Sequence, residues 1–255
     1  MVEVLDRLKL DRIKFLKLRK KEEEGRITTE LPMHIAFAMY GYKRWAEDNQ
    51  LGVEGGVDRS LLILRNTIKI GVKLNIPILT FHVLGTDIMK EESERFTLFM
   101  DKLVDFFERL SKDETIHENK VKVSVWGKWY DLPGRVVEPI KKIIDETSGY
   151  DNFFVNLCVN YSGQEEIMDS MRLIAMQIIN HKIGVDSINK DLIKENLYSS
   201  YFLPPDLIIK TGNKKIPNLL LWDNINSQIY FSDKLWPDFD KTELSRAIDY
   251  WRKNK

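Results

Sequence analysis

The chain contains 255 residues, and its 39 Lys and Arg residues balance its 39 Asp and Glu residues. A neutral balance gives the chain no overall attraction to nucleic acid, so any anion site must be a local cluster of basic residues. The length suits one large α/β domain, or two small ones, with a well-buried core. The single cysteine, Cys158, excludes an internal disulfide and a cysteine-rich zinc site, and its apolar neighbours predict a buried structural thiol.

The N-terminal segment is charged throughout, which predicts that it is not a signal peptide. No run in the sequence approaches the ~20 apolar residues of a membrane span. These features predict a cytoplasmic protein. Residues 2–24 carry apolar side chains at helical spacing, which predicts an amphipathic helix in a segment of its own, residues 1–30, ahead of one domain over residues 31–255. A membrane-surface helix with peripheral membrane contact is one interpretation. A helix packed on the domain, with its basic face in water, is the favoured one.

Strands and helices alternate along the rest of the chain. The predicted strands are 34–41, 76–85, 120–127, 152–163 and 205–212, followed by two further apolar segments at 218–224 and 228–233. The predicted helices are 58–75, with Asp58 as N-cap, and then 91–110, 134–148, 164–181, 189–197 and 241–253. Parallel strands need crossover helices, and this alternation supplies them. The predicted fold is a single α/β domain with a mostly parallel central sheet and helices on both faces.

Basic residues follow two of the predicted strand ends, where the ligand sites of open α/β sheets lie. The first strand end carries Gly41, Lys43 and Arg44, and glycine lets backbone N–H groups approach an anion. The last one places Lys210 and Lys215 around a Gly-Asn turn. Two interpretations are open, an anion pocket or a solvated loop whose lysines serve solubility.

Few carboxylates accompany these basic residues, although Mg²⁺ at a phosphate site is usually held by one or two carboxylates. Asp87 is the only acid placed near a strand end in the first half of the chain. The acids of the segment "WPDFD", residues 236–240, are predicted to open the last helix. His34 begins its strand, which favours a role in the core or at the sheet edge. His82 lacks partners at the spacing of a zinc site.

Three stretches carry a family resemblance through their order and spacing: "HIAFAMYGYKRWA", "NLCVNYSGQEEIMDSM" and "LPPDLIIKTGNKKIPNLLLWDNINSQIYFSDKLWPDFD". They resemble the motifs H-I-A-x-x-M-D-G-N-(G/R)-R-W-A, L-N-Y-G-G-R-x-E-I-x-D-A and P-D-L-L-I-R-T-(S/G)-G-E-x-R of the cis-prenyltransferases, the undecaprenyl diphosphate synthase family. The resemblance implies a hydrophobic tunnel between the sheet and two helices. It also implies a dimer that condenses isopentenyl diphosphate onto an allylic diphosphate with Mg²⁺.

The resemblance gives roles to the residues at the first strand end. The family's magnesium-binding aspartate falls on Tyr40, and the neighbouring asparagine falls on Tyr42. A neutral phenol cannot replace a carboxylate as the ligand of a hard cation, so the comparison implies no catalytic residue and no metal ligand at this position. Lys43 replaces an arginine of the family, whereas Arg44 and Trp45 are retained.

The second basic strand end is altered as well. The two arginines of the family's isopentenyl site fall on Lys210 and Lys215, whereas Thr211, Gly212 and Asn218 are retained. The residues that the resemblance implies for diphosphate binding are Gly41, Lys43, Arg44, Lys210 and Lys215.

A preserved framework with an altered site leaves three hypotheses. The first is the non-catalytic subunit of a heteromeric polyprenyl diphosphate synthase. The second is an active prenyltransferase in which Asp87, at the position of a family glutamate, serves a metal or a proton, and only this hypothesis calls for Mg²⁺ as a cofactor. The third is a polyprenyl-phosphate binding protein. The expected ligands are isoprenoid diphosphates rather than nucleic acid, and the expected assembly is a homodimer, or a heterodimer with a relative that keeps the catalytic residues.

Overall fold

The computed structural model describes residues 30–90 and 93–255. The helix predicted at residues 2–24 lies outside the described residues. The strands are β1 His34–Ala38, β2 Ile78–His82, β3 Val121–Trp126, β4 Phe153–Cys158, β5 Leu207–Lys210 and β6 Gln228–Phe231. The helices are α1 Tyr42–Asp48, α2 Val53–Lys73, α3 Ser93–Leu110, α4 Glu114–Glu118, α5 Gly134–Glu146, α6 Gly163–Ile179, α7 Lys190–Glu195 and α8 Lys241–Lys253. Short 3₁₀ turns lie at Thr86–Lys90, Trp129–Asp131, Val185–Ser187, Asp223–Asn226 and Trp236–Asp238.

The six strands form one parallel sheet in the order β3-β4-β2-β1-β5-β6, which confirms the predicted α/β fold. β1 lies inside the sheet, where its Ile35 pairs with Leu79 of β2 on one side and with Leu207 of β5 on the other. β2, β3 and β4 lie on one side of β1, and the later strands β5 and β6 lie on the other. The carboxyl end of β1 is therefore the point at which the strand order reverses, and ligands bind at such points in open α/β sheets.

Side chains of β1 alternate between two core clusters, one on each face of the sheet. Ile35 and Phe37 belong to the first cluster, with apolar residues of α2, α3, α5 and α8. Ala36 and Ala38 belong to the second, which also contains the fully buried thiol of Cys158, as predicted. Burial on both faces explains why the strands are continuous apolar runs instead of alternating ones.

Two local predictions about polar residues are confirmed. The buried ring of His34 forms hydrogen bonds with the carbonyl oxygen of Leu203 at 2.7 Å and with the hydroxyl of Thr80 at 2.8 Å, so this histidine is part of the core. Asp240 caps α8, because its carboxylate accepts a hydrogen bond from the backbone N–H of Glu243 at 2.8 Å.

Two predicted elements are wrong in detail. The helix predicted to start at Asp58 starts at Val53, because the pair of glycines before Asp58 belongs to the helix. A Cβ on Gly56 would lie 2.4 Å from the carbonyl oxygen of Tyr42, so glycine there permits α1 and α2 to pack closely and does not mark a loop. The apolar segment 218–224 forms turns, not a strand, and its Leu220 is buried in the second cluster with a φ of 49°.

Candidate functional site at the strand ends

A pocket of about 240 Å³ opens at the carboxyl ends of β1 and β2. Its lining consists of the residues that follow these two strands and two apolar residues behind them: Met39, Tyr40, Gly41, Tyr42, Lys43, His82, Val83, Leu84, Gly85, Asp87, Ile88 and Phe99. Gly41 makes the turn from β1 into α1 with a φ of 110°, and a Cβ there would lie 2.7 Å from Leu235. The sequence therefore requires glycine at this corner, independently of any ligand.

Tyr40 projects from this corner into the pocket, and its main chain is held on both sides. Its N–H donates to the hydroxyl of Thr211 at 2.9 Å, and the same hydroxyl donates to the carbonyl oxygen of Tyr40 at 2.9 Å. The backbone N–H of Trp236 also donates to that carbonyl, at 3.0 Å. Burial, together with the charge of Asp87, raises the pKa of the Tyr40 phenol, so a neutral side chain stands at this position.

Lys210 lies beneath the ring of Tyr40, with its Nζ 3.4 Å from the ring centroid. Only 1% of its surface is exposed, and its ammonium donates to the carbonyl oxygen of Thr211 at 3.2 Å and to Oδ1 of Asn213 at 3.1 Å. Burial lowers the pKa of Lys210 to about 8. The cation predicted to hold a diphosphate is thus present, but it is covered by the ring of Tyr40.

The burial of Lys210 predicts a pH-dependent stability difference. Because the lowered pKa of about 8 lies below the usual 10.5, the unfolded chain binds more protons between these values, so stability rises with pH in that interval. We expect Lys210→Met to raise the free energy of unfolding near pH 7 by up to about 3 kcal/mol, with the gain fading towards pH 10. Urea unfolding from pH 7 to pH 10 measures it. The exposed Lys214, as Lys214→Met, is the matched control, and a gain that is constant with pH would contradict the expectation.

The basic residues of α1 are only partly brought together. Lys43 is exposed and lines the pocket, whereas Arg44 lies outside the pocket lining, with 62% of its side chain exposed and its Nε 3.9 Å from Asp48. Trp45 faces a separate groove of about 530 Å³ between α2 and α3, and its indole N–H donates to Asp238 at 2.7 Å. This bond fastens α1 to the turn Trp236–Asp238, so Trp45 has a structural role.

The residues around the Gly-Asn turn also have mainly structural roles. Gly212 has a φ of 81°, and a Cβ on it would lie 3.0 Å from the backbone and Cβ of Tyr40. Lys215 is exposed and does not line the pocket. Asn218 connects the turn to α6, because it donates to the hydroxyl of Ser162 at 3.1 Å and accepts from the N–H of Gln164 at 3.2 Å.

The carboxylates do not provide a fit for Mg²⁺. Among the described residues, Asp87, in the 3₁₀ turn after β2, is the only carboxylate that lines the pocket. The glycine at position 85 gives it room, since a Cβ there would lie 2.5 Å from Asp87 Oδ1. Among residues 30–90 and 93–255, no group of three or more His, Cys, Asp or Glu side chains could hold a metal ion. A divalent cation in the pocket would also face the ammonium of Lys210 beneath Tyr40.

His82 also lines this pocket, although its position in the sequence was weighed above only for zinc binding. It is the last residue of β2, where it pairs with Ala38, and its ring meets the ring of Tyr40 edge to face with centroids 6.2 Å apart. Burial lowers its pKa, so the imidazole is neutral. The signal that would have identified it is position, because the last residue of a strand next to β1 must lie beside the Tyr40 corner.

Apolar space lies where the resemblance places a tunnel, between the sheet and the two helices α2 and α3. Its volume is about 60 Å³, and Tyr42 and Phe99 close it towards the pocket with ring centroids 5.7 Å apart. Pockets that enclose a drug-sized ligand measure about 300–1,000 Å³. The apolar space between these elements is therefore narrow in this conformation.

None of the helices in the described ranges is both long and apolar enough to cross a membrane.

The structure of lavandulyl diphosphate synthase from Lavandula x intermedia superimposes on this chain with a TM-score of 0.83 and 24% identity, covering 88% of this chain and 96% of that chain. This similarity concerns the fold.

Sequence comparisons identify the family. The tritrans,polycis-undecaprenyl-diphosphate synthase (geranylgeranyl-diphosphate specific) of Methanocaldococcus jannaschii is 34% identical, over 96% of this chain and 90% of that protein. The isoprenyl transferase of Thermotoga maritima is 31% identical, over 88% of this chain and 95% of that protein. A family model described as "Putative undecaprenyl diphosphate synthase" matches residues 38–255. With the parallel sheet and the strand-end pocket, these matches show that the chain belongs to the undecaprenyl diphosphate synthase family, the cis-prenyltransferases.

Proposed function

We propose that this chain is the non-catalytic subunit of a heteromeric polyprenyl diphosphate synthase. The observation that carries the proposal is the contact between Tyr40 and Lys210, with Nζ 3.4 Å from the ring centroid. A phenol and a buried ammonium fill the corner at which the family's aspartate would hold Mg²⁺. The fold of a prenyltransferase is kept, while the group that would stabilise a departing diphosphate is replaced.

The energetic consequence of this replacement is large. Departure of a diphosphate concentrates negative charge, which a divalent cation stabilises. Loss of one charge-stabilising donor typically costs about 3 kcal/mol of transition-state stabilisation, which corresponds to about 10²–10³ in rate. Asp87 and Lys43 remain in the pocket lining, but neither supplies the charge of a divalent ion.

A broad apolar side of α6 supports a partner subunit. Its exposed residues are Met168, Met171, Leu173, Met176 and Ile179, with 43%, 60%, 48%, 59% and 74% of their surface exposed. Contiguous exposed apolar residues of this kind usually mark an interaction surface. We propose that this side of α6, called the α6 face below, contacts a second chain of the same fold. The partner is either a second copy or a relative that keeps the family's aspartate.

Co-expression tests the proposal. The chain should be produced with a relative from the same genome that retains the aspartate at the position of Tyr40. We expect the two to co-purify and the complex to make product faster than the relative alone. Absence of both co-purification and any change in turnover would exclude the subunit role.

A second candidate, an active prenyltransferase with an altered site, is favoured by a different observation. The relatives in Methanocaldococcus jannaschii and Thermotoga maritima are named as a synthase and a transferase, and the pocket keeps Lys43 and Asp87. It predicts product from isopentenyl diphosphate and geranylgeranyl diphosphate with the chain alone, and loss of that product in Asp87→Asn. The narrow apolar space of about 60 Å³ gives less support to storage of a long polyprenyl phosphate.

A further inference from the structure

We propose that the strand-end pocket binds a diphosphate group without a divalent metal, with the Lys210 ammonium as its resident cation and the Tyr40 ring as a cover that the ligand displaces. The inference rests on the proposed function only for the class of ligand. Binding without metal does not depend on whether the chain has a catalytic or a subunit role, so the two are tested separately.

The buried ammonium of Lys210 has no carboxylate partner among the described residues. Buried ammonium groups are usually paired with a carboxylate, because removing an ammonium from water without one is costly. In the described part of the chain, Lys210 forms no ion pair. Its ammonium donates to one carbonyl oxygen, of Thr211, and to one amide oxygen, of Asn213, and it also contacts the Tyr40 ring. An ammonium has three N–H donors, so one of them is left for an anion.

The ring of Tyr40 covers the ammonium of Lys210. Tyr40 lines the pocket whereas Lys210 does not, so the ring lies between the ammonium and the pocket. The main chain of Tyr40 is fixed by Thr211 and Trp236, which leaves its side-chain torsions as the route by which the ring can move. A contact between an ammonium and an aromatic face is weaker than a charge-assisted hydrogen bond to phosphate. A diphosphate can therefore replace the ring as the partner of Lys210.

The residues of the pocket fit Mg²⁺ poorly. Magnesium requires near-octahedral oxygen ligands and is usually bound through one or two carboxylates together with substrate phosphates. Asp87 is the only carboxylate that the described residues contribute to the lining, and two cations, the exposed Lys43 in the lining and Lys210 below Tyr40, repel a divalent ion. The same two cations attract a diphosphate, and about 240 Å³ is available to it.

This arrangement links binding to a proton. Lys210 has a pKa of about 8 when it is covered, and a bound anion next to it favours the charged form. Above pH 8 the protein should therefore take up a proton when the ligand binds. The uptake does not occur at pH 6.5, where Lys210 is already charged.

Isothermal titration calorimetry of the full chain tests the inference, with inorganic pyrophosphate and geranylgeranyl diphosphate as the probes. Each probe is titrated in EDTA and in Mg²⁺, at pH 6.5 and pH 8.5, in buffers of different ionisation enthalpy. The variants are Lys210→Met and Tyr40→Ala, and Lys214→Met is the matched control because Lys214 is an exposed lysine of the same turn. Circular dichroism confirms that each variant is folded.

We expect pyrophosphate to bind in EDTA, and Mg²⁺ should not strengthen that binding, because Mg²⁺ complexes free pyrophosphate and the pocket repels a divalent ion. Lys210→Met should weaken binding by at least about 10-fold, and Lys214→Met by less than about 2-fold. Tyr40→Ala should strengthen binding by roughly 3- to 30-fold, because the ligand no longer displaces the ring. Proton uptake at pH 8.5 should be larger in the unsubstituted chain than in Lys210→Met, and this difference separates the proton of Lys210 from protons that pyrophosphate itself exchanges. Tighter binding of geranylgeranyl diphosphate would identify a prenyl diphosphate as the ligand, and equal binding would identify the diphosphate group alone.

Three results would overturn the inference. The first is binding that requires Mg²⁺. The second is equal weakening by Lys210→Met and Lys214→Met. The third is no binding by either the unsubstituted chain or Tyr40→Ala. A failure of co-expression would leave these outcomes unaffected, so failure of the proposed function is distinguishable from failure of metal-free binding.

Discussion

Tyr40→Asp is expected to leave the chain without condensation activity. Assayed alone with Mg²⁺, isopentenyl diphosphate and geranylgeranyl diphosphate, both the unsubstituted chain and this variant should turn over at least about 10³-fold more slowly than a relative that keeps the aspartate. The reason is the neighbouring cation. Lys210 lies 3.4 Å from the centre of the present ring, so a carboxylate at position 40 would form an ion pair with it and would not be available to bind Mg²⁺.

The resemblance to the family implies that other parts of the site differ as well, and these would remain unchanged in that variant. It places the family's histidine and phosphate-binding arginine on Val57 and Val53, the asparagine after β2 on Ile88, and the isopentenyl-site serine on Pro217. Tyr40→Asn, a neutral replacement at the same position, is the control. A gain of more than about 100-fold in Tyr40→Asp, with none in Tyr40→Asn, would show that one carboxylate is sufficient and would contradict this account.

Charge on the α6 face is expected to abolish association. Met171 and Met176 are 60% and 59% exposed, and burial of two such side chains contributes roughly 3 kcal/mol or more. Met171→Glu combined with Met176→Glu removes that contribution and buries charge, so affinity for the partner should fall at least about 100-fold. Light scattering should then record a change from the mass of two chains to the mass of one.

The control for this experiment is Leu62→Glu. Leu62 is 44% exposed and lies on α2, so its substitution adds one negative charge outside the α6 face, compared with two in the α6 pair. We expect it to leave association unchanged. Equal effects of the two substitutions, or no effect of the α6 pair, would remove the interface from α6 and with it the structural support for a subunit role.

Much of the fold was predictable because burial and periodicity determine it. The alternation of apolar runs with amphipathic segments predicted the parallel sheet. The acids before the last helix predicted its start, where Asp240 is the cap. The start of α2 was mispredicted because the glycines before Asp58 serve a close approach between helices, through Gly56, and do not terminate an element. A contact between distant residues cannot be recognised from local spacing.

The places of the candidate residues at the strand ends could be predicted from the sequence, but the directions in which their side chains point could not. The strand ends predicted Lys43, Lys210 and Asp87 near one corner. Lys43 and Asp87 line the pocket and Lys210 lies beneath Tyr40, whereas Arg44 lies outside the lining because successive residues of a helix point about 100° apart. The burial of Lys210 under Tyr40 also depends on tertiary packing, since the sequence places each residue at the end of a strand and does not show that the two side chains meet. The α6 face was missed because an amphipathic pattern does not reveal which apolar side chains remain in water.

The hydrogen bonds that hold Tyr40 have a genetic consequence. Thr211 and Trp236 bind position 40 through its N–H and carbonyl groups, so these hydrogen bonds do not depend on which side chain stands there. The codons for aspartate and tyrosine differ by one nucleotide. A gene duplicate of this family could therefore lose its metal ligand in a single mutational step while still producing a folded chain. After that step, selection would act only on the surfaces and binding properties that the silenced copy retained.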